Sequence, residues 1–340
     1  MLRPGVSFEA LHAWRIDGIG VMFDRRYCSC LCIAAAIAVL SAGGPTHSAE
    51  TLKLQHQGVE RTAVLYRPAG LAEAPRPLVI ALHGLGGIGE NFRSFAGFDD
   101  AAVREGFVAV YPDAVKHAWS YGRPINQPMP KVESETVDDV GFIRLLVDDL
   151  VGRKIADPKR IYVTGLSRGG LMTFTLACAL ADRIAAAASL ISGMTEFQRD
   201  DCRPPRPVPM MVLAGTSDRM QAFGGAQGLR GRLLSVAETM DFWRSLHGCT
   251  RRSPRALPHR DASDQTQVTV VEWSDCRTGA NPRLYRIEGG GHQIPSIKAG
   301  GNPMSEEKFG PRNHDIETAE EVWAFFKSFS LSSHRGSSPE

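Results

Sequence analysis

The 340-residue chain carries almost no charge excess: 39 Lys and Arg face 37 Asp and Glu, a net of +2. A nucleic-acid binder that neutralises phosphates shows a stronger or clustered basic excess, so no nucleic-acid partner is expected. The chain also lacks the low apolar content of disorder, since 43% of its residues are hydrophobic. Its apolar N-terminal run, LCIAAAIAVL at 31–40, has ten residues, about half of what a membrane span needs, so no stable membrane anchor is expected. Cys-x-x-Cys and His-Glu-x-x-His are both missing, which removes the common metal-site signatures. Seven cysteines are too few for a disulfide scaffold of this length. Internal repeats and low-complexity linkers are absent as well. The length leaves one large α/β domain or two smaller ones.

The N-terminal run reads as a secretory leader. Arg25 and Arg26 precede it, and the small residues and proline of SAGGPTHSA follow it. Glu9 and Asp17 are out of place in a basic leading segment, so Met22 is a candidate true start. Cleavage is expected after Ala49, with Ala42 as second choice, which makes residues 1–49 the leader. Cys28, Cys30 and Cys32 leave with it. The mature chain keeps Cys178, Cys202, Cys249 and Cys276, an even number that suits two disulfides in an exported protein. Three pairings are possible; sequence-local closure favours Cys178–Cys202 and Cys249–Cys276. Residues 50–330 are expected to form one catalytic domain, and the polar residues 331–340 a flexible tail.

Within that domain, TLKLQHQ (51–57) and ERTAVLYR (60–67) read as two antiparallel strands about a turn at Gly58. PLVIALHG (77–84), FVAVYP (107–112), RIYVTG (160–165), IAAAASLISG (184–193), PMMVLAG (209–215), QVTVVEW (267–273) and RLYRIEG (283–289) read as further strands. Helical spacing marks 137–153, where Val140, Ile143, Leu146, Val147 and Leu150 share a face. Helices are also expected over 167–181, 233–246 and 315–329. Short apolar strands alternating with helices imply an α/β fold, with a mainly parallel sheet covered on both faces.

Gly165-Leu166-Ser167-Arg168-Gly169 matches Gly-x-Ser-x-Gly. The match alone is weak, but a strand enters it and an apolar helix leaves it. That is the setting of a nucleophile elbow, a sharp turn that lifts a serine hydroxyl above the sheet edge. A serine needs a base and an acid to orient that base, and in this class they follow in the order Ser, Asp or Glu, His. Asp218 ends VLAGTSD just beyond one strand, and His292 sits in EGGGHQIP just beyond another. Asp241 lies inside a helix, His314 in a loop and His259 in a polar insertion, so they are poorer candidates. Oxyanion donors are expected from the backbone N–H of Arg168 and of Leu85, in the glycine-rich loop HGLGG (83–87). His83 is read as a support for that loop. In the long segment 113–136, Trp119 and Tyr121 either line a substrate pocket or pack the loop down.

These residues resemble a family, the secreted poly(3-hydroxybutyrate) depolymerase-like esterases, whose relatives include feruloyl and acetylxylan esterases. The resemblance spans about 60–330. It rests on ALHGLGG (81–87), VDDVGFI (137–143), YVTGLSRGG (162–170), ACALADRIAA (177–186), AGTSD (214–218), FWRSLHGC (242–249), IEGGGH (287–292) and VWAFF (322–326). It implies an α/β-hydrolase fold and the triad Ser167, Asp218 and His292. It also supports pairing Cys249 with Cys276 and, less firmly, Cys178 with Cys202. Three positions depart from the family pattern. Arg168 follows the serine where Asn or Ala is frequent. Leu85 stands where the loop often has cysteine. Gln293-Ile294-Pro295 replaces Thr-Trp-Pro, which leaves Gln293 as a further candidate substrate contact. The expectation is a secreted serine ester hydrolase, needing no metal or organic cofactor, acting on hydroxyalkanoate oligomers or related small or oligomeric esters. A feruloyl or acetylxylan esterase is the alternative, and a non-catalytic hydrolase-fold binding module a third reading.

Overall fold

The computed structural model describes residues 48–122, 137–228, 231–298 and 306–332. Most of the expected leader, with Met22 and the three cysteines it contains, lies outside the described residues. So do most of the segment 113–136 and of the expected tail.

Among the described residues the strands are β1 (Ser48–His56), β2 (Val59–Arg67), β3 (Arg76–Leu82), β4 (Val108–Pro112), β5 (Ala156–Leu166), β6 (Ala186–Leu190), β7 (Met210–Gly215), β8 (Ala226–Gly228), β9 (Gly231–Leu233), β10 (Cys249–Ala256), β11 (Gln267–Cys276) and β12 (Arg283–Glu288). The helices are α1 (Gly89–Ala96), α2 (Phe98–Glu105), α3 (Asp139–Gly152), α4 (Arg168–Ala179), α5 (Glu196–Asp201), α6 (Val236–His247), α7 (Glu306–Phe309) and α8 (Thr318–Phe326). Ten strands form one sheet in the order β1-β2-β4-β3-β5-β6-β7-β12-β11-β10, while β8 and β9 pair separately. The six strands from β4 to β12 run parallel. Antiparallel β1–β2 closes one edge and β10–β11 the other.

Alternation along the strands builds a core on each sheet face. Leu78, Ile80 and Leu82 of β3 point to one side, where they join Phe142 of α3, Phe174 of α4 and Trp243 of α6. Val79 and Ala81 point to the other, with Phe92 of α1, Phe98 of α2 and Phe326 of α8. Both faces are buried, which is why the central strands read as unbroken apolar runs. This is the α/β-hydrolase architecture expected from the sequence.

Every strand expected from the sequence is present, and seven elements are additional: α1, α2, α5, α7, β8, β9 and β10. Helices α1 and α2 have eight residues each and are divided by Gly97, whose φ is 78°. Two-turn helices carry too little periodicity to stand out. Helix α5 is shorter still, set by a reciprocal cap between Thr195 and Gln198. Strand β10, CTRRSPRA, is almost wholly exposed and contains Pro254. It is a strand because β11 pairs with it, not because of its own pattern; a charged edge strand with a proline resists further pairing. The closing helix is shorter than expected, starting at Thr318 rather than Asp315. Asp315 is buried and instead accepts from Arg260 N, the Asn313 amide and the His259 ring.

Cys178 is bonded to Cys202 and Cys249 to Cys276. The second bridge ties the first residue of β10 to the last of β11, two residues paired across the ladder. Closing a loop of that size stabilises by about 3 kcal/mol in the chain-entropy picture. The double substitution Cys249→Ser, Cys276→Ser should therefore lower the unfolding free energy by about 2–4 kcal/mol in urea titration. Peptide mapping without reductant should show these two cysteines linked to each other.

Candidate active site

Ser167 sits between β5 and α4 at φ 56° and ψ −113°, a backbone state that residues with a Cβ seldom adopt. Its own N–H donates to Leu190 O at 2.8 Å. The flanking glycines are required by contact. A Cβ on Gly165 would come within 2.4 Å of Gly169 O, and one on Gly169 within 2.4 Å of Leu82 O. The elbow thus packs strand, turn and helix closer than any side chain allows.

His292 and Asp218 arrive from β12 and β7, adjacent parallel strands. Their loops also touch through glycines. A Cβ on Gly215 would lie 2.3 Å from Gly290 O, and one on Gly291 would lie 2.2 Å from Phe309 O. The Ser167 hydroxyl is 2.9 Å from His292 Nε2, and His292 Nδ1 is 2.7 Å from Asp218 Oδ2. The other carboxylate oxygen of Asp218 accepts from Met220 N at 2.7 Å and Gln221 N at 2.8 Å. Asp218 and His292 are 7% and 2% exposed. A carboxylate held on both oxygens fixes the imidazole with Nδ1 as donor, which leaves Nε2 to accept from the serine.

Of the two residues expected to supply oxyanion donors, Arg168 follows Ser167 and Leu85 lines the same cleft as the serine. Arg168 is the first residue of α4, whose leading N–H groups have no partner within the helix. The Leu85 N–H has no acceptor among the described residues. Next to it, Gly84 lies against Ser167, where an added Cβ would meet the serine Cβ at 3.7 Å. His83 holds this loop as expected. Its Nε2 accepts from Ala114 N at 3.1 Å, so Nδ1 donates to Gly84 O at 2.7 Å. Burial lowers the His83 pKa, which keeps the ring neutral and in that tautomer.

Three expected substrate contacts are corrected. Trp119 is fully buried; its Nε1 donates to His83 O at 2.9 Å, and it does not line the cleft over Ser167. Tyr121 packs against Phe197, 6.0 Å away, beside the Cys178–Cys202 bridge. Their segment has apolar residues because it seals the domain. Gln293 is 2% exposed and donates to Gly310 O, bracing the His292 loop against the segment after α7. The Arg168 side chain also turns from the cleft: Nε donates to Trp119 O at 2.7 Å and the guanidinium stands 5.0 Å from the Tyr121 ring centre. Asp139, in the VDDVGFI motif, is buried; it pairs with Arg61 at 2.6 Å and accepts from Ser120 N at 2.7 Å. That motif anchors the same segment from the other side.

The cleft itself has a volume of about 310 Å³ and draws its walls from elsewhere. Leu85, Ile88, Phe92 and Phe95 come from the oxyanion loop and α1, Met220 from the Asp218 loop, and Lys308 and Phe309 from α7. Sequence reasoning missed the α1 and α7 residues because neither helix was visible in it. The one available signal was the clustering of Phe92 and Phe95 just after the glycine-rich loop. A serine hydroxyl, an imidazole and a carboxylate in one hydrogen-bonded row beside an apolar cleft form a constellation able to transfer an acyl group.

Comparison with known proteins agrees with this chemistry. The model of the dienelactone hydrolase family matches residues 62–273. Feruloyl esterase B of Piromyces equi is 27% identical over 252 residues, covering 71% of this chain and 44% of the esterase. Poly(3-hydroxyalkanoate) depolymerase C of Paucimonas lemoignei is 30% identical over 126 residues, covering 37% of this chain and 30% of the depolymerase. The chain thus spans less than half the length of either relative. Among solved structures, the acetyl xylan esterase from Aspergillus awamori shares the fold, with a TM-score of 0.51 at 16% identity over 70% of this chain and 92% of that one. With more than half of its residues matched by the family model, and with the expected elbow and sheet in place, the chain belongs to the dienelactone hydrolase family.

Proposed function

We propose that the protein is an exported serine carboxylic-ester hydrolase working through an acyl-enzyme, with hydroxyalkanoate oligomers or related soluble esters as substrates. The observation that carries this reading is the continuous relay from Asp218 through His292 to the Ser167 hydroxyl, at 2.7 and 2.9 Å. Ser167 attacks the ester carbonyl while His292 takes its proton, and Asp218 holds the imidazole and stabilises its charged form. The Arg168 and Leu85 N–H groups receive the oxyanion, aided by the positive end of α4. His292 then protonates the leaving alcohol and activates the water that releases the acid.

A feruloyl or acetylxylan esterase is the second reading. Phe92 and Phe95 in the cleft favour it, since they suit an aromatic acyl group. Export is supported by the two disulfides, which persist in oxidising compartments. Of the two expected cleavage positions, the one after Ala42 leaves β1 whole, because its pairing with β2 begins at Ser48.

Ser167→Ala should reduce p-nitrophenyl butyrate hydrolysis on the order of 10³-fold or more. Equal rates in the two proteins would overturn the role of Ser167, and no turnover of any ester by the parent protein would favour the binding module. Asp218→Asn should keep the fold and lower kcat on the order of 10²–10⁴-fold, with little change in KM, because it removes the group that fixes the imidazole tautomer. Rates on hydroxybutyrate oligomers and on feruloylated sugars, measured side by side, separate the two substrate readings.

A further inference from the structure

We propose that Lys308 selects esters whose alcohol half carries a free carboxylate, so that the substrates are esters of hydroxy acids, oligomers that end in one included. The inference rests on the esterase reading above and specifies its substrate.

Among the described residues that line the cleft, Lys308 is the only ammonium or guanidinium, and no carboxylate lines it. The buried arginines Arg168 and Arg312 are engaged with main-chain carbonyls, Arg168 with Trp119 O and Arg312 with Ile294 O. Lys308 Nζ instead lies 5.2 Å from the Phe309 ring centre, with no carboxylate partner among the described residues. A cation facing an otherwise uncharged, apolar cleft is placed to meet an anion of the substrate.

The side of the cleft follows from the mechanism. His292 must pass its proton to the leaving oxygen, so the alcohol departs on the histidine side. Phe309 is on that side: its ring centre is 6.4 Å from that of His292, and its carbonyl accepts from His292 N at 2.6 Å. Lys308, one residue earlier on α7, therefore borders the alcohol subsite. The walls from the oxyanion loop and α1 are Leu85, Ile88, Phe92 and Phe95, which suit an apolar acyl half. An apolar acyl half and an alcohol half with a remote carboxylate together describe an acylated hydroxy acid. Hydrolysis breaks the acyl carbon–oxygen bond; water supplies the hydroxyl of the new acid and the proton of the released alcohol, and Lys308 exchanges no bond.

The test compares 3-butyryloxybutanoate with its neutral isostere 3-butyryloxybutanamide. The readout is the ratio of their kcat/KM values. The parent protein should prefer the carboxylate. Lys308→Gln should lower the ratio about two- to fivefold, as expected for a partly exposed ion pair, and Lys308→Glu should lower it further. Added salt should shrink the preference of the parent protein and leave the ratio of Lys308→Gln nearly constant. A ratio unmoved by both substitutions, or an equal loss on the two esters, overturns the proposal while leaving the esterase reading in place. Failure of the parent protein to hydrolyse either ester overturns the esterase reading and this inference with it.

Discussion

Ser167 is held at φ 56° and ψ −113°, and a non-glycine residue in so sparse a region costs on the order of 1–3 kcal/mol. The surrounding structure over-determines it. The turn is tied to β6 through Leu190 O, it caps a twelve-residue helix, and it is pressed on both sides by glycines that admit no Cβ. The strain has a chemical use. A relaxed turn would lay the serine side chain along the sheet edge, whereas this one lifts the hydroxyl toward His292 and aims the first N–H of α4 at the space above it. Relief of the strain by rotation of the peptide would lose both at once. The rest of the fold serves mainly to make that rotation impossible.

Strand order explains how the other two residues reach the serine. β5, β6, β7 and β12 are consecutive parallel strands, so their C-terminal ends fall on one edge, where sites of open α/β sheets collect. Asp218 and His292 leave neighbouring strands, and contact between Gly215 and Gly290 brings their loops close enough for a 2.7 Å hydrogen bond. Ser167 leaves β5, two places from β7 and three from β12, and the loop carrying His292 spans that gap. The end of α7 and the segment after it complete the arrangement, Phe309 O accepting from His292 N and Pro311 O from Gly291 N.

Much of this was legible because it is local. Gly-x-Ser-x-Gly, AGTSD and EGGGH each record a strand exit in a few adjacent residues, and the apolar runs record strands buried on both faces. Cysteine pairing was legible to the extent that neighbours in sequence became neighbours on a ladder. Placement of side chains that depend on distant segments was not. Trp119 and Tyr121 look like pocket aromatics in a long loop, yet their burial is decided by Arg61, Asp139 and α4, which no local pattern relates to them. The walls of the cleft come from two-turn and one-turn helices, too short to carry a periodic signal. β10 is a strand only by partnership.

The cation after the nucleophile shows how such a non-local bond matters. Arg168 Nε donates to Trp119 O, Trp119 Nε1 donates to His83 O, and His83 begins the loop that offers the Leu85 N–H. The residue whose backbone N–H follows the serine is therefore linked through its side chain to the loop that carries the Leu85 N–H, with a buried indole between them. In the proposed mechanism two N–H groups from loops 83 residues apart in sequence converge on one oxygen, and misplaced donors would lose most of their effect. A smaller residue after the serine would keep the first donor and release the bracket on the second. The departure from the common family pattern at position 168 therefore has a structural role: the guanidinium braces the glycine-rich loop through Trp119.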